Sequence, residues 1–369
     1  MTSRIAVRFC PPTPVWGSQR TFANELLPRL LRHLPENVLY TSLSRVEHAS
    51  TVFAAANPLC QPGAFRRIWA LLRYQVTFGR TLRRRKTDLL FCPFNNEGLV
   101  FLHGVRQVLV VHDLVPYRFP RDYLATRILW ALVYKIAARR AQHVICVSEA
   151  TRADVVRFLG VPAEQTSVVY NGYTIPQSIP PRTPKRIVLY VASAHSAHKN
   201  IARLLEAFAR STLCSTHELR IVGTPHRRTT PLLIARATQP DLAGRVLFLD
   251  RLTDDELEAE YASAEMMSYP SLCEGFGLPL LEAMARAIPI CAAQGSAVSE
   301  IAGDAALYFD PYDTLSIQEA LEKLSRESAL RSRLIERGLK RVKEFSWEKS
   351  AVECAAICLR VLPPAAGEG

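Results

Sequence analysis

The sequence alternates between short apolar runs and longer helix-like segments, and it does so in two successive series. In the first series the strand-like runs lie at 4–10, 88–92, 107–113 and 143–147. In the second series they lie at 187–192, 219–223, 246–250, 266–269 and 289–292. Strands that are each followed by a loop and a helix are typical of doubly wound parallel sheets. The pattern therefore predicts an α/β protein with two Rossmann-like domains.

Prolines mark the boundary between the two series. Four of them fall between 176 and 184, where they hold the backbone extended and cannot belong to a helix interior. We predict an N-terminal domain over 1–175, a linker over 176–186 and a C-terminal domain over 187–346. The last helix, within 347–369, is expected to pack back on the N-terminal domain. A chain of 369 residues is longer than one hydrophobic core usually grows, which agrees with two domains.

The positive charge of the chain is confined to its first half. Residues 1–181 contain 23 lysines and arginines against 10 acidic residues, whereas residues 182–369 contain 23 against 24. One basic domain beside a neutral one indicates a half that faces an anionic surface or acceptor. We therefore expect no nucleic-acid partner, although the charge alone keeps a nucleic-acid-binding protein among the rival classes.

Neither export nor a metal centre is indicated. The N-terminus has no apolar signal-peptide core, and no run of 18 apolar residues occurs in the chain. Nine cysteines, mostly among apolar neighbours, are typical of a reducing compartment, so the expected location is the cytoplasm. The pairs Cys354–Cys358 and His195–His198 have no partner pair at zinc-like spacing, so no metal ligand is predicted.

The stretch from Glu274 to Glu282 carries the most distinctive chemistry. Neither G-x-G-x-x-G nor a P-loop occurs in the sequence, so a phosphate group must be held elsewhere. The letters E-G-F-G-L-P at 274–279 follow a strand and open a helix, where backbone N–H groups at the positive helix end can bind an anion. Glu282 is expected in the first helical turn, where it can accept hydrogen bonds from a ribose diol. Glu274, in the loop, can reach sugar hydroxyls.

This block resembles the E-x7-E signature of glycosyltransferase family 4. Further motifs that resemble the family, in its order and spacing, are Val111-His112-Asp113, Val147-Ser148-Glu149, Tyr170-Asn171-Gly172, Lys199-Asn200, Ser299-Glu300 and Gly303-Asp304-Ala305-Ala306. The resemblance covers residues 107–360 well and 1–106 weakly. It implies the GT-B fold, in which two Rossmann-like domains face each other across a cleft. It also implies a retaining transfer of a hexose from a nucleotide diphosphate sugar.

The resemblance implies roles for individual residues. Glu274 would contact the transferred sugar, Lys199 would neutralise the leaving diphosphate, and His112 would touch the donor sugar. Glu282 would bind the ribose, and Gly17 would lie in a loop that approaches the diphosphate or the acceptor. Further substrate contacts are expected at Asp113, Asn171, Phe276, Gly277 and Leu278. The position of His112 at a strand end favours a functional role over that of a core histidine.

One position departs from the family pattern. Many relatives have an arginine four or five residues before the lysine equivalent to Lys199, where this chain has Ala194 and His195. A guanidinium binds phosphate through two parallel hydrogen bonds, whereas a histidine offers one donor at each ring nitrogen. Three outcomes stay open: lower donor affinity, His195 as a substitute, or another arginine such as Arg203.

The transfer is expected to need no metal cofactor. The sequence lacks a D-x-D triplet, and a lysine together with a helix dipole can replace Mg²⁺ at the leaving diphosphate. No carboxylate is an evident covalent nucleophile. We therefore expect attack on the same face as the leaving group, with a donor phosphate oxygen assisting deprotonation of the acceptor.

The segment 64–86 has two interpretations. One helical stripe is formed by Phe65, Trp69, Leu72 and Val76, and the adjoining stripe by Arg66, Arg73 and Arg80. An interfacial membrane helix has this pattern, and so does an ordinary amphipathic helix that packs on its own sheet. If the segment is an interfacial membrane helix, the protein can associate peripherally with the inner membrane face and can use a lipid-linked acceptor.

The Lys199-Asn200 pair stands where many relatives have Lys-Gly. It resembles the branch that includes mannosyl- and rhamnosyltransferases and favours GDP-mannose as the donor, with UDP-hexoses and dTDP-rhamnose open. A glycan or lipid-linked acceptor in bacterial surface polysaccharide synthesis is expected. Two rival functions are a nucleotide-sugar epimerase of the same fold and a non-catalytic relative that binds sugar nucleotides.

Overall fold

The computed structural model describes residues 4–9, 18–35, 37–41, 50–53, 64–95, 98–100, 104–120 and 127–363. The chain divides into two compact units, one of Met1–Gly172 with Ser346–Gly369 and one of Tyr173–Phe345. Each unit contains one sheet whose described strand pairs are all parallel, with helices between the strands. The predicted α/β class with two doubly wound sheets is confirmed.

The first unit is built on a seven-stranded sheet. Its strands are β1 (Ile5–Phe9), β2 (Asn37–Thr41), β3 (Ser50–Phe53), β4 (Leu89–Cys92), β5 (Arg106–Val111), β6 (His143–Cys146) and β7 (Thr166–Val168). They lie in the order β3-β2-β1-β4-β5-β6-β7. The helices before the second unit are α1 (Ser18–His33), α2 (Ala64–Arg84), α3 (Val115–Arg118), α4 (Arg127–Arg140) and α5 (Glu149–Asp154).

The second unit is built on a six-stranded sheet. Its strands are β8 (Ile187–Ala194), β9 (Glu218–Thr224), β10 (Val246–Leu249), β11 (Met266–Tyr269), β12 (Ile290–Ala293) and β13 (Ala306–Phe309), in the order β10-β9-β8-β11-β12-β13. The helices are α6 (Ile201–Arg210), α7 (Thr230–Ala237), α8 (Asp254–Ser263), α9 (Leu278–Ala285), α10 (Ser296–Ala302), α11 (Thr314–Arg326) and α12 (Ser328–Arg341). The last helix of the chain, α13 (Trp347–Val361), belongs to the first unit.

Burial explains why these short apolar runs form central strands. All four residues of β11 and of β12 are buried, as are the first six residues of β8. Strands covered by helices on both faces lack the alternating pattern of half-exposed strands. The strand order reverses between β8 and β11, and ligands of open α/β sheets bind at the carboxyl ends of strands at such a switch point. The loops after these two strands are therefore the first place to look for a site.

The proline-rich segment 176–186, predicted to be the linker, is grouped with the second unit. The Thr183 N–H donates to the carbonyl of Ala262 at 3.0 Å. The Lys185 N–H donates to the carbonyl of Ser263 at 2.8 Å. Proline keeps the segment extended, and these hydrogen bonds fix it to the end of α8.

A glycine lets the chain return to the first unit. An ideal Cβ at Gly172 would overlap the backbone nitrogen of Trp347, the first residue of α13. Nearby, the Ser350 hydroxyl donates to the carbonyl of Tyr170 at 2.6 Å. Any side chain at 172 would therefore meet main-chain atoms at the start of α13.

None of the described helices is both long and apolar enough to cross a membrane.

Replacing Gly172 with alanine is expected to lower the free energy of unfolding by about 1–3 kcal/mol, because the new methyl group would clash with main-chain atoms that cannot move aside. Gly338→Ala is the matched control. Its new methyl group would meet the flexible side chain of Met284 at 3.1 Å, and alanine is the better helix former. Urea unfolding measures both variants, and an unchanged midpoint for Gly172→Ala would contradict the close approach.

Candidate active site

Two buried charges of opposite sign meet at the carboxyl edge of the second sheet. Lys199 follows β8 and Glu274 follows β11, and these strands are neighbours. The Lys199 ammonium donates to both carboxylate oxygens of Glu274, at 2.7 and 2.9 Å. Only 9% of the Lys199 side chain and 11% of the Glu274 side chain are exposed. The structure thus joins in one ion pair the residues expected to contact the leaving group and the sugar.

The surroundings of Glu274 keep its carboxylate charged. Burial acts to raise the pKa of this group, but the charge and hydrogen bonds of Lys199 outweigh burial and lower the pKa. The Tyr269 hydroxyl, at the end of β11, donates to Oε1 at 2.9 Å. The Ser296 hydroxyl accepts from the Glu274 N–H at 3.0 Å and donates to the Glu274 carbonyl at 3.1 Å. Both the side chain and the backbone of Glu274 are therefore fixed.

The left-handed backbone conformation of Asn200 places Lys199 in this pair. Residues 197–199 form a short 3-10 helix, and Asn200 then adopts φ 60° and ψ 25° before α6 begins. Asparagine tolerates this conformation better than most residues. Its amide nitrogen donates to the carbonyls of Pro270 and Pro311, at 3.1 and 2.8 Å. These bonds tie the lysine segment to the loops that follow β11 and β13.

Glu282 lies in the second turn of α9, which corrects the prediction of the first turn. The helix begins at Leu278, and its first turn contains no acidic residue. The Tyr261 hydroxyl donates to Oε2 of Glu282 at 2.5 Å, and burial raises the pKa of the carboxyl group. Its Oε1 has no hydrogen-bond partner among the described residues. That oxygen is free to accept a hydrogen bond from a ligand hydroxyl.

The start of α9 offers backbone groups rather than side chains. Gly277 precedes the helix with φ 104°, a conformation that favours glycine, and it provides no side-chain cap. Phe276 is 5% exposed, and its ring lies edge-on to that of Phe345 at 5.7 Å. Because Leu278 is also buried, contacts from 276–278 to a substrate must come from their main chain. The N–H groups of an uncapped helix start attract an anion.

His195 lies inside the second unit. It is 1% exposed, its Nδ1 is 3.3 Å from the Thr230 hydroxyl, and its ring is edge-on to Phe248. Burial lowers the pKa of the ring, so the imidazole is neutral at pH 7. The ring therefore offers no positive charge to a diphosphate, and the structure gives no support to His195 as a substitute for arginine.

In the first unit, His112 follows β5 as a neutral ring. It is 8% exposed, and burial lowers its pKa to about 4. Its Nε2 lies 2.8 Å from the carbonyl of Pro93, which can only accept, so Nε2 carries the proton. The rings of Phe22 and Phe94 flank the imidazole, with centroid distances of 4.5 and 5.3 Å. The unprotonated Nδ1 is thus an acceptor in a fixed ring.

Asn95 holds the backbone around His112, a role that the sequence did not indicate. Its Oδ1 accepts from the His112 N–H at 2.8 Å, and its Nδ2 donates to the Asp113 carbonyl at 2.7 Å. Oδ1 of Asp113 accepts from the Val115 N–H at 3.2 Å. Asp113 therefore helps to start α3, whatever else it contacts.

Two further residues, Asn171 and Gly17, were also predicted to contact the substrate. Asn171 is 2% exposed, and its Oδ1 has no hydrogen-bond partner among the described residues. Gly17 lies outside the described residues.

Arg286 organises the surroundings of Glu282 and was missed by the sequence analysis. Its Nε donates to both carboxylate oxygens of Glu258, at 2.7 and 3.0 Å. Its Nη1 donates to the Glu282 carbonyl and to the Tyr173 hydroxyl, each at 2.8 Å. The guanidinium also lies 4.8 Å from the centre of the Tyr261 ring. These partners are far apart in the sequence, so no local motif could have indicated the arrangement.

Two family models match adjoining parts of the chain. Glycosyltransferase Family 4 matches residues 20–175, and Glycosyl transferases group 1 matches residues 173–341. The O-antigen chain mannosyltransferase RfbU of Salmonella typhimurium is 27% identical over 260 residues, which cover 70% of this chain and 69% of that protein. The MMP alpha-(1->4)-mannosyltransferase of Mycolicibacterium hassiacum is 34% identical over 230 residues, which cover 60% of this chain and 55% of that protein.

Solved structures agree with the fold. Sucrose-phosphate synthase from Thermosynechococcus elongatus superposes with a TM-score of 0.79 at 21% identity, over 97% of this chain and 99% of that chain. The predicted GT-B class is thereby confirmed. The two family models together span residues 20–341 and include the E-x7-E block with its ion pair. The chain therefore belongs to the group 1 glycosyltransferases with a family 4 amino-terminal domain, and it is a glycosyltransferase.

Proposed function

We propose that this glycosyltransferase moves a hexose from a nucleoside diphosphate sugar to a glycan or lipid-linked acceptor and retains the anomeric configuration. The observation that carries the proposal is the ion pair of Lys199 with Glu274, in the loop before the uncapped start of α9. Glu282 follows within the same helix, with one carboxylate oxygen available. A cation, a helix start and two carboxylates at one sheet edge suit a ligand that joins phosphate to sugar hydroxyls.

The main task of the site is to stabilise the leaving diphosphate. Hexosyl transfer passes through an oxocarbenium-like state while negative charge grows on the diphosphate. Lys199 and the backbone N–H groups at the start of α9 would stabilise that negative charge. Glu274 would then accept hydrogen bonds from hydroxyls of the transferred sugar, and Glu282 would accept one from the ribose through Oε1.

The acceptor would attack on the same face of the sugar as the leaving group. Glu274 is held by Lys199 and Tyr269, which argues against its use as a covalent nucleophile. A donor phosphate oxygen would take the proton of the acceptor hydroxyl. His112 would accept a hydrogen bond from the donor sugar through Nδ1. Supporting substrate contacts are proposed at Gly17, Asp113 and Asn171.

The donor and the setting rest on the relatives. RfbU is named for O-antigen chain mannosyl transfer, and the second relative is also a mannosyltransferase. We propose GDP-mannose as the donor and bacterial surface polysaccharide synthesis, on the cytoplasmic side of the membrane, as the setting. UDP-hexoses and dTDP-rhamnose are the alternative donors.

The state of Glu274 favours transfer over the rival epimerisation. An epimerase needs carboxyl groups that exchange protons with the sugar or its neighbours. Both oxygens of the Glu274 carboxylate accept hydrogen bonds from the Lys199 ammonium, which holds this group as an ion-pair partner and not as a group that exchanges protons with the sugar.

A basic face of α2 is the proposed contact with an anionic membrane. Phe78 and Leu82 of this helix are buried in the core of the first unit. Val76 is 39% exposed and shares its side of the helix with the exposed Arg73 and Arg80. The side chains of 65–72 lie outside the described residues. The exposed strip suits a surface role better than internal packing.

Transfer itself is tested with purified protein, a donor panel and measurement of the released nucleoside diphosphate. We expect Lys199→Ala to lower kcat/KM by about 100-fold or more, because the leaving group loses a preorganised cation. Glu282→Gln is expected to raise the donor KM by about 10-fold with a smaller change in kcat. Lys340→Ala, whose side chain is 73% exposed on α12, is the control.

Lys199→Ala leaves the Glu274 charge unpaired, so the variant Lys199→Met/Glu274→Gln and thermal unfolding check that the fold persists. Unchanged turnover in folded Lys199 and Glu282 variants would refute the proposed site. An epimerised donor without transfer would support the rival enzyme.

Chelation is the test of metal independence. We expect the transfer rate to change by less than about twofold in excess EDTA, because Lys199 and the start of α9 are proposed to carry the diphosphate charge. Initial rates with and without EDTA, followed by added Mg²⁺, measure this. A rate that collapses in EDTA and returns with Mg²⁺ would contradict the proposal.

Membrane contact is tested by sedimentation with vesicles of phosphatidylglycerol or phosphatidylcholine. We expect binding to the anionic vesicles only, and weaker binding at high salt. Each exposed basic residue near the surface contributes about 1 kcal/mol, so Arg83→Ala/Arg84→Ala should weaken binding. The control variant Arg337→Ala/Lys340→Ala on α12 removes the same amount of charge and should leave vesicle binding unchanged. Equal binding to both vesicle types would rule out this role.

A further inference from the structure

The charge of Lys199 at the carboxyl edge of the second sheet is balanced before any ligand binds. Its ammonium is paired with the carboxylate of Glu274. His195 is buried and neutral. A diphosphate brings several negative charges to this edge and needs cations that are not already paired.

A tight turn after β9 is attached to the end of β8. The Thr230 N–H donates to the His226 carbonyl at 3.0 Å and closes the turn, while the Thr230 hydroxyl accepts from the His226 N–H at 2.7 Å. The Thr229 hydroxyl donates to the carbonyl of His195. The His195 N–H in turn donates to the carbonyl of Thr224 at 3.1 Å. The turn is therefore fixed to the strand that leads to Lys199.

Arg227 and Arg228 occupy the apex of this turn. Both are exposed, and neither forms an ion pair or hydrogen bond with a described residue. Because β8 and β9 are neighbouring parallel strands, their following loops lie at the same sheet edge. The N-terminus of α7 adds positive potential at the same place.

We infer that Arg227 and Arg228 bind the diphosphate of the donor and supply the positive charge that Lys199 alone does not provide. This inference rests on the proposed function. Two guanidinium groups on a fixed turn can each bind phosphate oxygens through paired hydrogen bonds. Their exposure leaves them free for the ligand, and no internal pair has to be broken.

Arg203 is the competing source of charge. Its Nη1 donates to Oδ1 of Asn200 at 3.0 Å, and its guanidinium lies 5.6 Å over the ring of Tyr312. Recruiting it would cost both contacts. The geometry therefore favours the turn after β9.

The test is titration calorimetry of GDP, UDP and dTDP with the full-length protein and its variants. We expect Arg227→Ala/Arg228→Ala to weaken the best-bound diphosphate by about 10-fold or more and to make the remaining affinity less sensitive to salt. Arg210→Ala is the matched control, because that exposed residue ends α6. Because both turn side chains are exposed, the thermal midpoint should not move.

The outcomes separate this inference from the proposed function. If the wild type binds a diphosphate and depends on Lys199, but the double variant binds as tightly as the wild type, the inference is wrong and the proposed function stands. The inference would also be overturned if Arg203→Ala weakened binding of the diphosphate and the double variant did not. If the wild type binds none of the three diphosphates, the proposed function fails and the inference fails with it. The inference is supported if the double variant binds the diphosphate more weakly than the wild type and Arg210→Ala binds it equally well.

Discussion

The buried pair of Lys199 and Glu274 is the interaction around which the second unit is arranged. Removing one partner of a buried pair leaves an uncompensated charge, which typically costs about 3–5 kcal/mol. The pair forms because β8 and β11 are neighbours in the sheet although the two residues are 75 positions apart. Tyr269, Ser296 and Asn200 then hold its two ends. The sheet order is thus what creates the site, and the loops only complete it.

Much of this fold follows from the sequence, because central parallel strands are continuous apolar runs. The runs that became β8, β11 and β12 were visible for that reason. The strands β2, β3, β7 and β13 were not recognised. β7 has three residues, two of them polar, so it is not a clear apolar run, whereas β13 is an apolar run of four residues that went unrecognised. At 176–186 the prolines indicate an extended conformation, but they do not indicate which partners the backbone finds, such as the carbonyls of Ala262 and Ser263.

The site shows the same division between local and tertiary information. Motif spacing indicated Lys199, Glu274 and Glu282, which lie in the loops after β8 and β11 and in the helix that follows the second loop. Tyr261 and Arg286 were missed because the bond of Tyr261 to Glu282 and the ion pair of Arg286 with Glu258 depend on how α8 packs beside α9. The placement of His195 was also beyond reach, since its burial depends on Phe248 and Thr230 from other strands and helices. Sequence patterns locate chemistry along the chain, and packing decides which groups keep their charge.

Asn200 has a consequence for how relatives are compared. The Lys-Asn pair was used as a marker of donor preference, yet the amide of Asn200 is buried and bound to two carbonyls of its own unit. A glycine in its place would keep the left-handed backbone but lose both bonds between loops. With its amide nitrogen bound to Pro270 and Pro311 and its Oδ1 bound to Arg203, the side chain of Asn200 reinforces the scaffold of this chain.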